Sequence, residues 1–172
     1  PHLTGEVVVD GMLDDWKDIP AISFETLLTP AMRARRLGAA DFGVSMRVAW
    51  NEKALFVAAE IADQRHSNHY SDGRIEWDDS LTLSLSPMGR KPGCRVVLAL
   101  GEHGPMSSTT PPGLAIQSST VRRQFQTIYE AIIPWSALAG FAAIGGETCA
   151  LGVTANDRDG EIDFLQVNNS GP

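Results

Sequence analysis

Apolar and polar residues alternate over several short segments of the chain. The segments VSMRVAW, LFVAAEI and SLTLSLS place apolar side chains at every second position. Successive side chains of a β-strand point to opposite faces, so this period is typical of strands that pack one face on a core. The pattern predicts an all-β fold of two antiparallel sheets packed as a sandwich, with roughly ten strands and little helix. The expected core comprises Val44, Met46, Val48, Trp50, Leu55, Val57, Leu81, Leu83, Leu85, Leu98, Ile133, Leu151 and Val153.

Turn and loop signals lie between these segments. Asn51, Glu52 and Lys53 separate two alternating runs and predict a hairpin turn. Helical evidence is limited to residues 30–37 and to one turn over residues 135–138, which follows Pro134. Long loops are expected over residues 62–74 and 101–113, the second being rich in Gly, Pro, Ser and Thr. With no internal repeat and no linker, residues 1–172 are predicted to form a single domain.

Composition narrows the classes of partner. The 172 residues include 14 basic and 21 acidic side chains, which disfavours a nucleic-acid partner and suits a neutral ligand. No run of about 18 apolar residues exists, so no membrane-spanning segment is expected. No catalytic triad order, phosphate-binding glycine loop or isolated carboxylate pair is present, which argues against an enzyme.

Five motifs in series resemble one known family. They are VVVDGMLDDW, VAWNEKALFVAAEIAD, WDDSLTLSLS, IYEAIIPWSALAG and LGVTANDRDG. In this order they resemble the family 9 carbohydrate-binding modules, within the wider DOMON-like group of β-sandwiches, from Val7 to about Asn169. The resemblance implies a non-catalytic domain that binds carbohydrate. It also implies a secreted or periplasmic location, and a covalently attached catalytic domain, such as a glycoside hydrolase, that is directed to a polysaccharide.

The resemblance also indicates candidate ligand contacts. Aromatic faces pack on sugar rings, and fixed polar groups bind the hydroxyls. Trp77 stands one residue nearer to the Asp79-Ser80 pair than the clamp aromatic of the family, so it is either a ligand contact or an edge-packing residue. Arg95 matches a family arginine that binds sugar hydroxyls, and is otherwise a solvated or salt-bridged surface residue. Thr82 stands where the family often has Glu. Asn168 matches a family asparagine, and is otherwise a loop cap; Asn169 is a weaker candidate beside it.

One departure from the family concerns the second clamp aromatic. The family has a tryptophan at about the position of Gly171, followed by a last strand, whereas this chain ends at Pro172. The first residue is Pro rather than Met, and we expect a piece excised from a larger protein that lacks its last strand. A single stacking face implies a dissociation constant no better than about 0.1–1 mM.

The other three tryptophans are predicted to be structural. Trp16 follows the Asp10-Gly11 turn and is expected to plug one end of the sandwich. Trp50 shares the inward face of its strand, and Trp135 lies in the Pro-Trp corner that the family uses for packing. Trp77 is therefore the main aromatic candidate for ligand binding.

Acidic and sulfur-containing residues leave several alternatives open. Asn156, Asp157, Asp159 and Gly160 form an oxygen-rich segment that is either a surface turn or a calcium loop. The family carries structural calcium, but that resemblance places no ligand. The candidate ligands within this segment are Asp157 and Asp159. His66 and His69 are expected in a solvated loop. Cys94 and Cys149 both alternate inward and are either two buried thiols or a disulfide.

Two other functions compete with carbohydrate binding. The domain could be a structural or protein-interaction sandwich that has lost its sugar clamp, as Thr82 and Gly171 suggest. It could also be a haem-binding DOMON-type domain, because related sandwiches ligate haem through Met or His side chains. The candidate axial ligands would be Met46, Met88, Met106, His66 and His69.

Overall fold

The computed structural model describes residues 1–27, 29–35, 41–87, 93–138, 141, 148–158 and 164–168. The described strands are β1 (Ile22–Ser23), β2 (Phe42–Trp50), β3 (Ala54–Asp63), β4 (Ser80–Pro87), β5 (Cys94–Gly101), β6 (Gly104–Thr110), β7 (Gln117–Arg123), β8 (Gln126–Pro134), β9 (Cys149–Arg158) and β10 (Phe164–Asn168). One α-helix, α1, spans Pro30–Arg35, and 3₁₀ turns span Asp14–Trp16, Phe24–Leu27, Ile75–Trp77 and Trp135–Ala137.

The strands form two antiparallel sheets. The first sheet has the order β1-β2-β3-β8-β7, and the second has the order β10-β9-β4-β5-β6. Leu81, Leu83 and Leu85 of β4 are buried in the core together with Val57 of β3 and Ile133 of β8. The two sheets therefore pack face to face, and the predicted all-β sandwich is confirmed.

The predicted core is largely confirmed, with one error. Val48 and Leu151 are only partly buried but still pack against the main core. Trp50 was expected to point inward, yet its side chain is 39% exposed and packs edge-on against His2 with ring centroids 4.8 Å apart. At the end of β2 the outer face is the buried one, because Ala49 is fully buried on the opposite side of the sheet from Trp50.

Ala49 is buried because the N-terminal segment covers the outer face of the first sheet. Val7, Trp16 and Ile19 pack there against Ala49, Ala54, Phe56 and Ala58. Trp16 is fully buried, as expected of a structural residue, but it lies on this outer face rather than at the end of the sandwich. The buried Glu130 carboxylate accepts hydrogen bonds from Trp16 Nε1 at 2.8 Å and from the backbone N–H groups of Asp10 and Gly11.

Two segments that were predicted as loops are strands. Residues 104–110 form β6, which pairs with β5, although they carry few apolar side chains. Asn156 and Asp157, which were placed in an oxygen-rich loop, are buried within β9. The hairpin turn at residues 51–53 is confirmed, and Asn51 Oδ1 accepts hydrogen bonds from the backbone N–H groups of Lys53 and Ala54.

Smaller predictions have mixed outcomes. Cys94 is buried and Cys149 is half-buried, and both are free thiols. The Pro-Trp corner is confirmed, since Trp135 is buried, packs against Phe141 and donates from Nε1 to the Asn51 carbonyl at 2.7 Å. None of the helices in the described part of the chain has the length and apolar character needed to cross a membrane.

Candidate functional site

The strand register brings several predicted site residues to the outer face of the second sheet. Thr82 of β4 pairs with Val97 on one side and Thr154 on the other, and Thr154 pairs with Asn168 of β10. Arg95 pairs with Ser84, one row further along. Residues directly opposite each other in a ladder share a face, and the alternate residues of β4 are the leucines of the core. Asn168 thus joins the same row by its backbone, while Asn169 lies outside the described residues.

Trp77 stands at the edge of this face, on the short turn Ile75–Trp77. Ile75 is buried against Val97, Ala99 and Met106, so the turn sits directly on the outer surface of β5 and β6. Trp77 itself is 53% exposed. The Trp77 side chain is therefore not buried at the sandwich edge, and its role as a ligand contact stays a prediction.

Trp77 has an aromatic and a cationic neighbour that sequence reasoning missed. The Tyr70 ring meets it edge-on, with centroids 6.0 Å apart and planes at 72°. The guanidinium of Arg74 lies 4.7 Å from the Tyr70 centroid and 5.9 Å from the Trp77 centroid. Asp72 accepts hydrogen bonds from Nε and Nη2 of Arg74, which lowers the pKa of the Asp72 carboxyl. The only sequence signal was the presence of one Tyr and one Trp in the same polar segment.

The turn that carries Trp77 is held by side chains from β9. Asn156 Nδ2 donates to the Glu76 carbonyl at 2.9 Å and to Ser80 Oγ at 3.0 Å. Arg158 Nη1 lies 3.4 Å from the Trp77 carbonyl and donates to Asp78 Oδ1 at 3.1 Å. Two strands and the turn are therefore tied together, which fixes the position of the Trp77 backbone.

Arg95 forms an ion pair with Glu76, the residue that precedes Trp77. Its Nη2 donates to Glu76 Oε2, and the two side chains are 39% and 27% exposed. Partial burial lowers the pKa of the Arg95 guanidinium from its ordinary value, and an arginine still remains protonated at neutral pH. Glu76 was not among the predicted residues, although it lies beside Trp77 in the RIEWDDS segment.

Thr82 lies in the middle of the outer face, between Val97 of β5 and Thr154 of β9. It is 5% exposed, and within the described part of the chain its Oγ1 is buried without a hydrogen-bond partner. A buried hydroxyl without a partner costs about 1–3 kcal/mol. The outer face therefore contains one polar group that water or a ligand would satisfy.

A second cluster of titratable residues lies near one end of the sandwich. One ligating atom from each of Asp63, His66 and Asp79 lies within 4.8 Å of the other two. His66 was expected in a solvated loop, but its side chain is only 11% exposed, and its Nε2 lies 2.8 Å from the Leu100 carbonyl. Its Nδ1 is 3.4 Å from Asp79 Oδ2. His69, in contrast, is exposed as expected.

The donors around this cluster do not fit a calcium ion. Asp63 Oδ2 accepts a hydrogen bond from Arg122 Nη1 at 3.2 Å, which brings a positive charge to the centre of the group. Both Asp79 oxygens accept backbone N–H groups, from Ser67 and Arg158. Calcium takes about six to eight oxygen ligands, whereas here the carboxylates already have donors and the third ligand is an imidazole.

Burial instead favours the uncharged forms of the Asp79 carboxyl and the His66 imidazole. Burial raises the pKa of the Asp79 carboxyl to about 8, although its two backbone N–H donors oppose that shift. Burial likewise lowers the pKa of His66. The pKa shifts of the two groups therefore both favour an uncharged Asp79 beside a neutral imidazole near neutral pH.

The calcium and haem predictions each involve a residue that lies outside the described part of the chain. Asp157 is buried in β9, and Asp159 lies outside the described residues, so the calcium site predicted from these two residues stays a prediction. Met46 is buried in the core, as expected, and Met88 lies outside the described residues. Met106 packs beneath the Ile75–Trp77 turn.

The fold is similar to that of known carbohydrate-binding modules. A family 9 carbohydrate-binding module from Caldicellulosiruptor kristjanssonii in complex with cellotriose covers 95% of this chain and 80% of its own, with a TM-score of 0.68 and 18% identity. A family 9 module from the same organism in complex with glucose covers 95% of this chain and 81% of its own, with a TM-score of 0.67 and 17% identity. A Bacteroides uniformis protein covers 92% of this chain and 82% of its own, with a TM-score of 0.58 and 13% identity.

These matches concern structure only. No protein-family model matches the chain, and no curated protein matches it. At identities of 18% and below, the matches establish the fold. The resemblance to the family 9 modules is therefore confirmed as a likeness of fold over nearly the whole chain.

Proposed function

We propose that this chain is a non-catalytic carbohydrate-binding domain whose binding site is the outer face of the second sheet, beside the Ile75–Trp77 turn. Trp77 would pack on the apolar side of a sugar ring. Arg95 would donate hydrogen bonds to hydroxyl groups, and the row that contains Thr82 and Asn168 would form the floor of the site. Asn169 belongs to the proposal as the neighbour of Asn168.

The observation that carries the proposal is the meeting of Trp77 and Arg95 on one surface. They belong to different elements and are 18 positions apart in sequence, yet Glu76 of the Trp77 turn bonds directly to Arg95. A half-exposed tryptophan beside partly exposed charged donors and acceptors is the combination that sugar recognition requires. The known modules of the same fold that were solved with cellotriose and glucose make this class of ligand the first to test.

The biological role that we propose is targeting. A domain of this kind would hold an attached catalytic domain, such as a glycoside hydrolase, near a polysaccharide and so raise its effective concentration there. This role implies a secreted or periplasmic protein. Structural calcium at Asp157 and Asp159 would stabilise the domain and would take no part in sugar contact.

The test is an NMR titration, in which glucose or cellobiose is added to the protein and the shifts of the protein signals are measured. We expect dissociation constants no better than about 0.1–1 mM, because one tryptophan supplies most of the stacking surface. Trp77→Ala should abolish binding while it leaves the melting temperature within a few degrees, since Trp77 is half-exposed and does not belong to the core.

Trp50→Ala is the matched control, because it removes another exposed tryptophan that belongs to β2 of the first sheet. It should leave binding unchanged. If the wild-type protein shows no shifts at high millimolar sugar, the carbohydrate proposal fails, and a structural or protein-interaction domain becomes the better interpretation. If Trp77→Ala unfolds the domain, the side chain is structural and the site loses its stacking surface.

A further inference from the structure

The outer face contains a charged acceptor in an unexpected place. The resemblance implies an acidic acceptor at the strand position of Thr82, and a threonine carries no charge. Glu76 instead brings a carboxylate to this face from the neighbouring turn, and it contacts Arg95 there. The face therefore has one anionic acceptor and one cationic donor side by side.

We infer that Glu76 and Arg95 act as a single recognition pair for two adjacent hydroxyl groups of a neutral sugar, with Glu76 supplying the acceptor that Thr82 does not. This inference rests on the proposed function and specifies the chemistry that the site selects. A vicinal diol offers two O–H donors and two sets of acceptor lone pairs, so it can bond to a carboxylate and a guanidinium at the same time.

The pair has unused hydrogen-bonding capacity. Among the described residues, Arg95 and Glu76 side chains bond only to each other, through Nη2 and Oε2. An ionised carboxylate has two oxygens and a guanidinium has five N–H donors. Both side chains are partly exposed, at 27% for Glu76 and 39% for Arg95. One carboxylate oxygen and several N–H groups thus remain for a ligand without breaking the ion pair.

The pair is also held in position relative to the stacking surface. Glu76 and Trp77 are adjacent in one turn, and Asn156 Nδ2 donates to the Glu76 carbonyl at 2.9 Å. The acceptor and the aromatic ring therefore share one support. A site that is fixed before binding loses little conformational entropy when the ligand arrives. A sugar stacked on Trp77 would consequently present a defined edge to Glu76 and Arg95.

The experiment compares wild type with Glu76→Gln against glucose and its monodeoxy analogues, by NMR titration. Glutamine keeps the size of the side chain but loses the charge. We expect Glu76→Gln to weaken glucose binding about tenfold or more, as for loss of a charge-assisted hydrogen bond. In wild type, removal of either of two adjacent hydroxyls should weaken binding. In Glu76→Gln the same removals should matter much less, whereas a purely structural role would leave the deoxy-sugar pattern unchanged.

Glu60→Gln is the matched control, because Glu60 is a partly buried glutamate of β3 in the other sheet. It should behave as wild type toward every sugar. If wild type binds glucose and Trp77→Ala does not, but Glu76→Gln binds as tightly as Glu60→Gln, the inference is overturned while the proposed function stands. If wild type binds no sugar, both fail. Unchanged deoxy-sugar losses in Glu76→Gln would also overturn the inference.

Discussion

Trp77 and Trp50 are both exposed tryptophans, but their neighbours differ. Both rings are substantially exposed, but Trp50 packs edge-on against His2 at the end of β2. Trp77 has Tyr70 at its edge and the Glu76–Arg95 ion pair beside its own turn. A sugar needs an apolar surface and polar groups for its hydroxyls, and beside Trp77 those polar groups are the Arg95 and Glu76 side chains that we propose as ligand contacts.

Replacement of Arg95 tests the polar half of this site. Arg95→Ala should weaken sugar binding by about 1.5–3 kcal/mol, the range for a lost charge-assisted hydrogen bond. Arg95→Lys should weaken binding less than Arg95→Ala does, because lysine keeps the charge and loses only the planar fork of the guanidinium. The measurement is the dissociation constant by titration. Arg123→Ala, at the exposed end of β7, is the control and should change nothing; equal effects from both variants would count against a role for Arg95.

Trp135 tests the packing of the Pro-Trp corner. Trp135→Ala should lower the free energy of unfolding by about 3–5 kcal/mol, because a buried aromatic side chain is removed from the core. Trp135→Phe should cost less, since it keeps a ring against Phe141 and loses mainly the bond from Nε1 to Asn51. Urea denaturation measures both. A loss below about 1 kcal/mol in the alanine variant would contradict the buried position.

At the level of elements, alternation predicted the strands whose inner face is rich in apolar residues. β4 follows the prediction in full, because Leu81, Leu83 and Leu85 are all buried. β6 was missed, because its polar, glycine- and proline-containing sequence gives no period and its strand depends on pairing with β5. Asn156 and Asp157 resembled a loop, since nothing in the local sequence indicates that a polar residue will be buried in a strand.

The error at Trp50 has a related cause. Alternation assigns one buried face to a strand, but it does not show where a sheet ends or what covers its other side. Residues 7–19 bury the outer face of the first sheet through contacts that are remote in sequence. The candidate site, like the strands, could be predicted only in part. Trp77, Arg95 and Thr82 became candidates through the resemblance, whereas Glu76, Tyr70 and the position of His66 depend on contacts between separate segments.

Glu130 tests how the N-terminal segment is attached. Its carboxylate accepts one bond at Oε1, from Trp16, and two at Oε2, from Asp10 and Gly11. In Glu130→Gln the amide NH₂ would face a donor, so at least one buried N–H would lose its acceptor. We expect a loss of about 1–3 kcal/mol in unfolding free energy by urea denaturation. Glu60→Gln on the adjacent strand is the control; a Glu130→Gln loss no larger than the control would mean that the segment is held by apolar contacts alone.

At the scale of the whole molecule, the cluster of Asp63, His66 and Asp79 connects the two sheets. Asp63 ends β3 and bonds to Arg122 of β7 in the first sheet. Asp79 precedes β4 and accepts the backbone N–H of Arg158 from β9 in the second sheet. His66 lies between the two carboxyl groups. The protonation state of this cluster therefore bears on the stability of the sandwich as a whole.

The cluster predicts a dependence of stability on pH. The pKa of Asp79 is about 8 in the folded protein and is close to its ordinary value of 3.8 when unfolded. The folded state thus holds the proton between these values, and this contribution to stability is lost as pH rises through about 8. His66 has a lowered pKa and gives the opposite slope, but only below its ordinary value of 6.5. Stability should therefore fall from about pH 6.5 to 8, by at most about 1.4 kcal/mol per pH unit.

Urea denaturation at several pH values between 6.5 and 9 measures this slope. Asp79→Asn should flatten it, whatever the variant does to stability at a single pH. Asp72→Asn is the control and should keep the slope, because the pKa of the Asp72 carboxyl is lowered and this group is ionised throughout that range. A wild-type stability that is level or rises between pH 6.5 and 8 would show that Asp79 is ionised in the folded protein.

The support of the Trp77 turn by Asn156 and Arg158 has a consequence for the speed of sugar exchange. A surface that is already formed requires no closing step, so association should be limited by encounter and alignment. With a weak dissociation constant, the bound sugar would then leave quickly. Many short contacts of this kind would let the domain move over a polysaccharide by repeated release and rebinding, and its signals should shift continuously during an NMR titration rather than split into two sets.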